Sequence, residues 1–210
     1  MMMIEPQQLI LFFTTSVLLG LAPGPDILFV LAQAAQQGKK AGLLVTLGLC
    51  TGLLVHTAAV TFGLAAVYAQ SALAFTLLKV VGAAYLAWLA WQSFRAGTQQ
   101  GAAARVDRLS LGTLYRRGII MNITNPKVSI FFLAFLPQFA DPAKGPLSLQ
   151  LLLLGGLFIV ATILVFSSVS LLAGALGDRF RQSAGAQKLL NRIAGTIFAA
   201  LAVKLVTAQR

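Results

Sequence analysis

Two of the long apolar runs in this chain are each interrupted by proline beside a charge. The first interruption reads Leu21-Ala22-Pro23-Gly24-Pro25-Asp26, and the second reads Asn122-Ile123-Thr124-Asn125-Pro126-Lys127. Proline carries no backbone N–H and its ring clashes with the preceding turn, so a helix must open at each of these points. Open backbone at membrane depth is tolerated only where it lines a cavity or is buried in protein. The two interruptions lie about half a chain apart. Interrupted segments in matching positions of two halves are the sequence mark of a transporter's binding site.

Composition places the chain in a membrane. Of its 210 residues 58% are hydrophobic and 10% charged, whereas a soluble domain is about 25% charged. Such a chain cannot clothe a water-facing surface, so an all-α integral membrane protein is expected. The net charge of +11 does not point to nucleic acid, because most Lys and Arg sit in the gaps between apolar runs. Cys50 is the sole cysteine and His56 the sole histidine, so neither a disulfide framework nor a metal site is expected. Nothing resembles a phosphate-cradling loop, and no cofactor is expected. The opening M-M-M-I-E-P lacks a basic stretch, so the first apolar run is expected to be a retained span.

Six runs approach the roughly 20 residues that cross a bilayer: about 8–35, 42–67, 71–93, 118–139, 148–174 and 190–207. Arg192 and Lys204 trim the last, and Lys204 is expected to snorkel to an interface. The connecting segments 36–41, 94–117 and 175–192 hold most of the positive charge, including Lys39, Arg105, Arg116 and Arg179. The 68–70 turn holds none and the 140–147 loop holds Lys144. The Lys/Arg excess puts the first three in the cytoplasm and both termini on the outer, periplasmic side. Trp88 and Trp91 then fall at an interface. The whole chain, 1–210, reads as one transmembrane transporter domain. A first repeat spans about 1–93, a cytoplasmic linker 94–117, and a second repeat about 118–210. Three spans per repeat force the second to run opposite to the first, as two inverted repeats around broken helices 1 and 4.

Asp26 and Lys127 each lie about nine residues from the same face, roughly 13 Å deep at 1.5 Å per residue. An intramembrane charge costs about 2.5–3.5 kcal/mol on insertion scales. Placing both at one depth lets a charge pair or a shared wet cavity offset that cost. A purely structural ion pair is the competing explanation. The pairing suits a zwitterion. Half-helices starting after Pro25 and Pro126 offer free N–H groups and positive dipole ends to a carboxylate, with Lys127 as its anchor. Asp26 and unwound carbonyls suit an ammonium group, and Asp26 is also the candidate proton carrier. Asn122, Thr124 and Asn125 supply uncharged donors and acceptors, while Pro23, Gly24, Pro25 and Pro126 shape the broken backbone.

Other residues carry weaker signals. Gly38, Gly42, Gly48 and Gly52 form two G-x-x-x-G pairs that favour close packing, expected against span 1, with a subunit contact as the alternative. His56 is a candidate proton relay; its plainer role is a hydrogen bond to Thr57, Thr61 or a carbonyl. Ser167, Ser168 and Ser170 face either a cavity or their own helix carbonyls. Phe131, Phe132, Phe135 and Phe139 recur near helical spacing and read as packing rather than a substrate cage. Pro137 reads as a helix exit.

G-L-A-P-G-P-D at 20–26, the glycines from Gly38 to Gly52, and N-P-K-V-S-I-F-F-L-A-F-L-P-Q-F at 125–139 resemble signatures of the LysE/RhtB family of bacterial amino-acid exporters. The resemblance covers essentially the whole chain. It implies a secondary transporter in the bacterial inner membrane that exports amino acids or derivatives, coupled to entry of a proton or another ion. Its partners would be the amino acid, the coupling ion and the lipid bilayer, with a homodimer left open. A membrane enzyme would need a nucleophile with a base or a metal cluster, and no such set assembles here. An exporter of a small cation and a non-catalytic packing subunit of a membrane complex are the alternatives.

Overall fold

A computed structural model describes residues 3–64, 72–96 and 108–207. These form eight α-helices, with no strand among the described residues. Helix α1 is Pro6–Leu21 and α2 is Pro25–Gln37; together they make the expected first span, bent by 60°. The bend follows from the two prolines, which drive the residue before each of them into extended backbone: Ala22 has ψ 128° and Gly24 has φ −175°, ψ 174°. Helix α3 is Lys39–Ala59 and runs on into a π-helical turn, Val60–Leu64. Only Gly38 separates α2 from α3. Its φ of 89° is open to glycine and strained for other residues.

Helix α4 is Ala72–Arg95. Helix α5, Leu111–Ile123, starts on Ser110, whose hydroxyl accepts from the Thr113 amide at 3.2 Å. Helix α6 is Pro126–Ile130, followed by a π-helical turn at Phe131–Phe135 and a 3₁₀ turn at Leu136–Phe139. The α5–α6 unit, through Phe139, is the second broken span, bent by 48°. Helix α7 is Leu147–Gln182 and α8 is Ala184–Thr207. Stretches 39–63, 147–173 and 187–207 are each long and apolar enough to cross a membrane, and each bent pair passes the same test jointly. That makes up to five spans among the described residues. The remaining expected span, about 71–93, falls on α4, which carries Lys79 and is not among them.

Two expected loops are shorter than the charge pattern suggested. The 175–192 connection is helical except at Ser183, because it holds no proline and is rich in good helix formers; charge moves a helix toward an interface without unwinding it. The 94–117 linker shrinks to the stretch between Arg95 and Leu111, of which 97–107, with Arg105, lie outside the described residues. So does the 68–70 turn.

The G-x-x-x-G stripe packs mainly against the second broken span, which corrects the expectation of span 1. A Cβ on Gly48 would run into the Tyr115 carbonyl and sit 3.0 Å from the Gly118 Cα. A Cβ on Gly118 would sit 2.5 Å from the Val45 carbonyl. Helices α3 and α5 therefore cross backbone to backbone. Lipid tails are as apolar as a side chain, so such packing rather than water exclusion holds membrane helices together. Gly42 alone keeps the expected neighbour: its Cβ would meet Ala34 on α2, and Ser170 on α7. No atom approaches Gly38 in this way.

Beyond the second break the phenylalanines form an aromatic core. Phe12, Phe131, Phe132 and Phe135 are fully buried. Ring centroids lie 5.0 Å apart for Phe131–Phe158, 5.1 Å for Phe12–Phe139 and 5.2 Å for Phe132–Phe158, spacings that suit tilted and edge-on aromatic pairs. This is packing, as the sequence suggested. Lys204 does not extend away from it. Its Nζ stands 3.8 Å from the centre of the Phe139 ring, a cation–π contact near the end of the second broken span. The segment around Asp141 is tied down by the buried side chain of Gln150, which accepts from the Asp141 amide and donates to the carbonyls of Asp141 and Gly145. Lys144 donates to Glu5 at 2.6 Å, so the start of α1 and this loop share one end of the bundle. That bond raises the Lys144 pKa above the ordinary lysine value. At the other end Asn191 on α8 donates to the Ala96 carbonyl after α4.

Candidate functional site

The two breaks meet inside the bundle. Asp26 sits in the first turn of α2, Lys127 in the first turn of α6, and both are buried, at 3% and 8% exposure. Neither turns outward to lipid. Asp26 gains from its place, because the start of a 13-residue helix carries partial positive charge. The structural ion pair that was the competing explanation does not form, since Asp26 and Lys127 are not within ion-pair distance. Lys127 reaches the end of α1 instead. Its ammonium donates to the Ala22 carbonyl at 3.3 Å and the Leu19 carbonyl at 3.4 Å. Those carbonyls belong to the negative end of α1. Gly24 makes the approach feasible, since a Cβ there would lie 3.1 Å from the Lys127 Nζ.

The polar residues of the second break divide. Asn122 donates through Nδ2 to Asp26 Oδ2 at 3.5 Å, a long bond, and its backbone carbonyl lies 3.1 Å from His56 Nε2. Gly52 leaves the room for Asn122, because a Cβ there would sit 2.7 Å from the Asn122 Cβ and Oδ1. Asn125 caps α6 by accepting the Lys127 amide at 3.0 Å, and its side chain lies beside the Asp26 carboxylate without a bond of hydrogen-bonding length. Thr124 does not join them. It is exposed, and its hydroxyl donates back to the Ile120 carbonyl at 2.8 Å. Pro25 and Pro126 are exposed and Pro23 and Gly24 half-buried, shaping backbone without reaching into the cluster.

Three atoms of the cluster are buried without a protein partner: Asp26 Oδ1, Asn122 Oδ1 and Asn125 Nδ2. Buried polar atoms normally find partners, and these three do not. They amount to two acceptors and one donor. Asp26, Asn122 and His56 also link α2, α5 and α3 in one polar path. His56 meets neither threonine proposed for it: Thr57 donates to the Leu53 carbonyl, and the buried Thr61 hydroxyl has no protein partner. The ring of His56 packs on Phe132, centroids 5.5 Å apart.

A cavity of about 730 Å³ lies on the far side of span 1, between it and α7. Its wall is apolar and includes Pro23, Ile27, Leu31, Val165 and Val169. Asp26, Val30 and Gln33 are buried on another face of α2, and none of the charged cluster lines this cavity. This cavity is thus apolar and separate from the polar cluster. Ser168 borders that volume, but its hydroxyl donates to the Leu164 carbonyl, as Ser170 does to Phe166.

The signature of the LysE type translocators matches residues 17–209, which include both breaks and every residue of the polar cluster. The chain belongs to the LysE translocator family. LysE translocators and efflux proteins are not enzymes, in line with the lack of any nucleophile-and-base set in the sequence. A membrane protein of Vibrio cholerae is 35% identical over 198 residues, covering 94% of this chain and 96% of the relative. The homoserine/homoserine lactone efflux protein of Salmonella typhimurium is 33% identical, covering 94% and 95%. The leucine efflux protein of Salmonella choleraesuis is 28% identical, covering 94% of each. No solved structure matches this LysE translocator.

Sequence reasoning missed several parts of the site. The carbonyls of Leu19 and Ala22 have no side-chain signature, although a lysine facing a Pro-Gly-Pro break hints at acceptors there. Gly118 was overlooked because it lies outside the G-x-x-x-G stripe that it completes. Gln33, buried at 1% exposure and accepting from Gln37 at 2.6 Å, lies two turns from Asp26 on the same face of α2 and could have been found by helical spacing.

Proposed function

We propose that this LysE translocator exports α-amino acids or close derivatives across the bacterial inner membrane, holding them at the two breaks by their ammonium and carboxylate groups. The single observation that carries this reading is the orphan set. Asp26 Oδ1 and Asn122 Oδ1 need donors, and Asn125 Nδ2 needs an acceptor. An α-amino acid supplies both kinds from adjacent atoms, with the ammonium beside the carboxylate of Asp26. The relatives named for efflux of homoserine, homoserine lactone and leucine support the same substrate class.

In this reading Asp26 also carries the coupling proton, with His56, on the neighbouring helix α3, as the candidate relay. The six spans form two inverted repeats, about 1–93 and 118–210, that rock about the site to open it alternately to either face. The Lys/Arg-rich ends lie in the cytoplasm and both termini in the periplasm. Expression in a sensitive bacterium should restore growth against toxic homoserine, leucine analogues or dipeptides, with unmodified amino acid recovered outside. If nothing in such a panel protects and no amino acid leaves the cells, the reading fails.

A further inference from the structure

Lys127 spends its ammonium on backbone. The carbonyls of Leu19 and Ala22 lie at the end of α1, where amide partners run short. The Ala22 amide reaches back to Leu18 at 3.0 Å and to Leu19 only at 3.3 Å, and positions 23 and 25, on either side of Gly24, are prolines without an N–H. A cation is the natural partner for such a helix end. Lys127 supplies it from the other half of the molecule, at distances of 3.3 and 3.4 Å. Charge-assisted N–H···O bonds are ordinarily about 2.7–2.9 Å, so the hold is loose. The Asp26 carboxylate is close enough to feel this ammonium without pairing with it.

These carbonyls, together with Asp26 Oδ1, are what a primary ammonium seeks. We propose that Lys127 is a tethered stand-in for the cargo's ammonium: it occupies the acceptors at the α1 break in the unloaded protein and is displaced when cargo enters. This rests on the amino-acid reading above and adds to it the consequence of loading. Two ammonium groups cannot share one pair of carbonyls, so entry of one requires retreat of the other. Retreat of Lys127 unties the end of α1 from α6. Loading and loosening of the two broken spans from one another then become a single event, and the recognised feature of the cargo is its cationic amine. The role differs from anchoring a carboxylate, which would require the ammonium to be free for the cargo's anionic end.

Homoserine and homoserine lactone separate the two roles, since both carry the amine and only homoserine carries a carboxylate. Their binding is measured calorimetrically on purified protein in lipid nanodiscs, at mildly acidic pH where both amines are protonated. Lys127→Met removes the competing cation and should tighten both ligands by about tenfold, the worth of one hydrogen bond to a charged group. Gly24→Ala keeps the lysine but crowds its Nζ, and should tighten both in the same direction by less, which guards against a misfolded Met variant. The proposal is overturned if Lys127→Met weakens homoserine and leaves the lactone unchanged, or if neither variant alters either ligand. Failure of both ligands to bind any of the three proteins overturns the amino-acid reading itself.

Discussion

The two breaks look alike in sequence, each a proline turn ahead of a charge, yet they solve opposite problems. At the second break the backbone satisfies itself. The Thr124 amide bonds Ile120, the Asn125 amide bonds Asn122, and the Val128 and Ser129 amides both bond Asn125. The Asn125 side chain takes the Lys127 amide as well. At the first break two prolines in three residues remove the donors that could close the gap, and the α1 carbonyls turn to Lys127. One break is receptive and the other is the giver. A symmetric pair of self-sealed breaks would hold the halves together by packing alone. The asymmetry makes the first half depend on a charge from the second.

The largest expected effect tests the receptive side. Asp26→Asn keeps the shape and removes the charge, and should cut export of amino acid from loaded proteoliposomes by about tenfold or more while the protein still purifies as a folded species. Full export by that variant would reduce the first break to scaffolding. The next effect tests whether the glycine stripe serves the site. Gly52→Leu would drive a branched side chain into Asn122, and a crowded core of this kind typically loses about 1–3 kcal/mol. Thermal unfolding in detergent should show the loss, and Gly63→Leu, where no atom approaches, should not.

A smaller effect comes from the self-sealed side. Asn125→Ala removes the cap of α6 together with one of the orphan atoms. It should lower stability by about 1 kcal/mol, the usual worth of such a cap, and weaken homoserine binding. Thr124→Val should change neither export nor binding, because that hydroxyl is bound to its own helix. Smallest of all is the exposed Glu5–Lys144 pair. A lysine whose pKa is raised by folding contributes stability below its unfolded pKa and loses it as pH rises through the folded value. The contribution is therefore flat across neutral pH, and Lys144→Ala should leave the melting midpoint unchanged within error.

The long elements and the two kinks were legible because apolar length and proline are local signals. So was the meeting of Asp26, Lys127 and Asn122, since equal depth from one face is a matter of counting residues. What the sequence could not show was partnership. Asp26 and Lys127 read as a charge pair or as neighbours in a shared cavity because side chains are what a sequence displays, and the acceptors that Lys127 took are backbone carbonyls that every residue possesses. Thr124 looked as suited to the site as its neighbours, but a threonine late in a helix can satisfy itself on the carbonyl four residues back. The stripe of glycines announced a close approach and not its partner, which depended on Gly118 two helices away. Beyond Pro126 a regular half-helix was expected, and the chain is instead α-helical for five residues and then shifts to π and 3₁₀ turns. Helix dipoles there are shorter than the pattern implied.

The central claim is that the polar cluster at the two breaks is where an amino acid is held. Homoserine binding by the unaltered protein and by Asp26→Asn, read by calorimetry on protein of matched thermal stability, tests it most directly. The account predicts saturable binding by the first and a loss of about tenfold or more in the second. Equal affinity in both proteins would place the cargo elsewhere and contradict it.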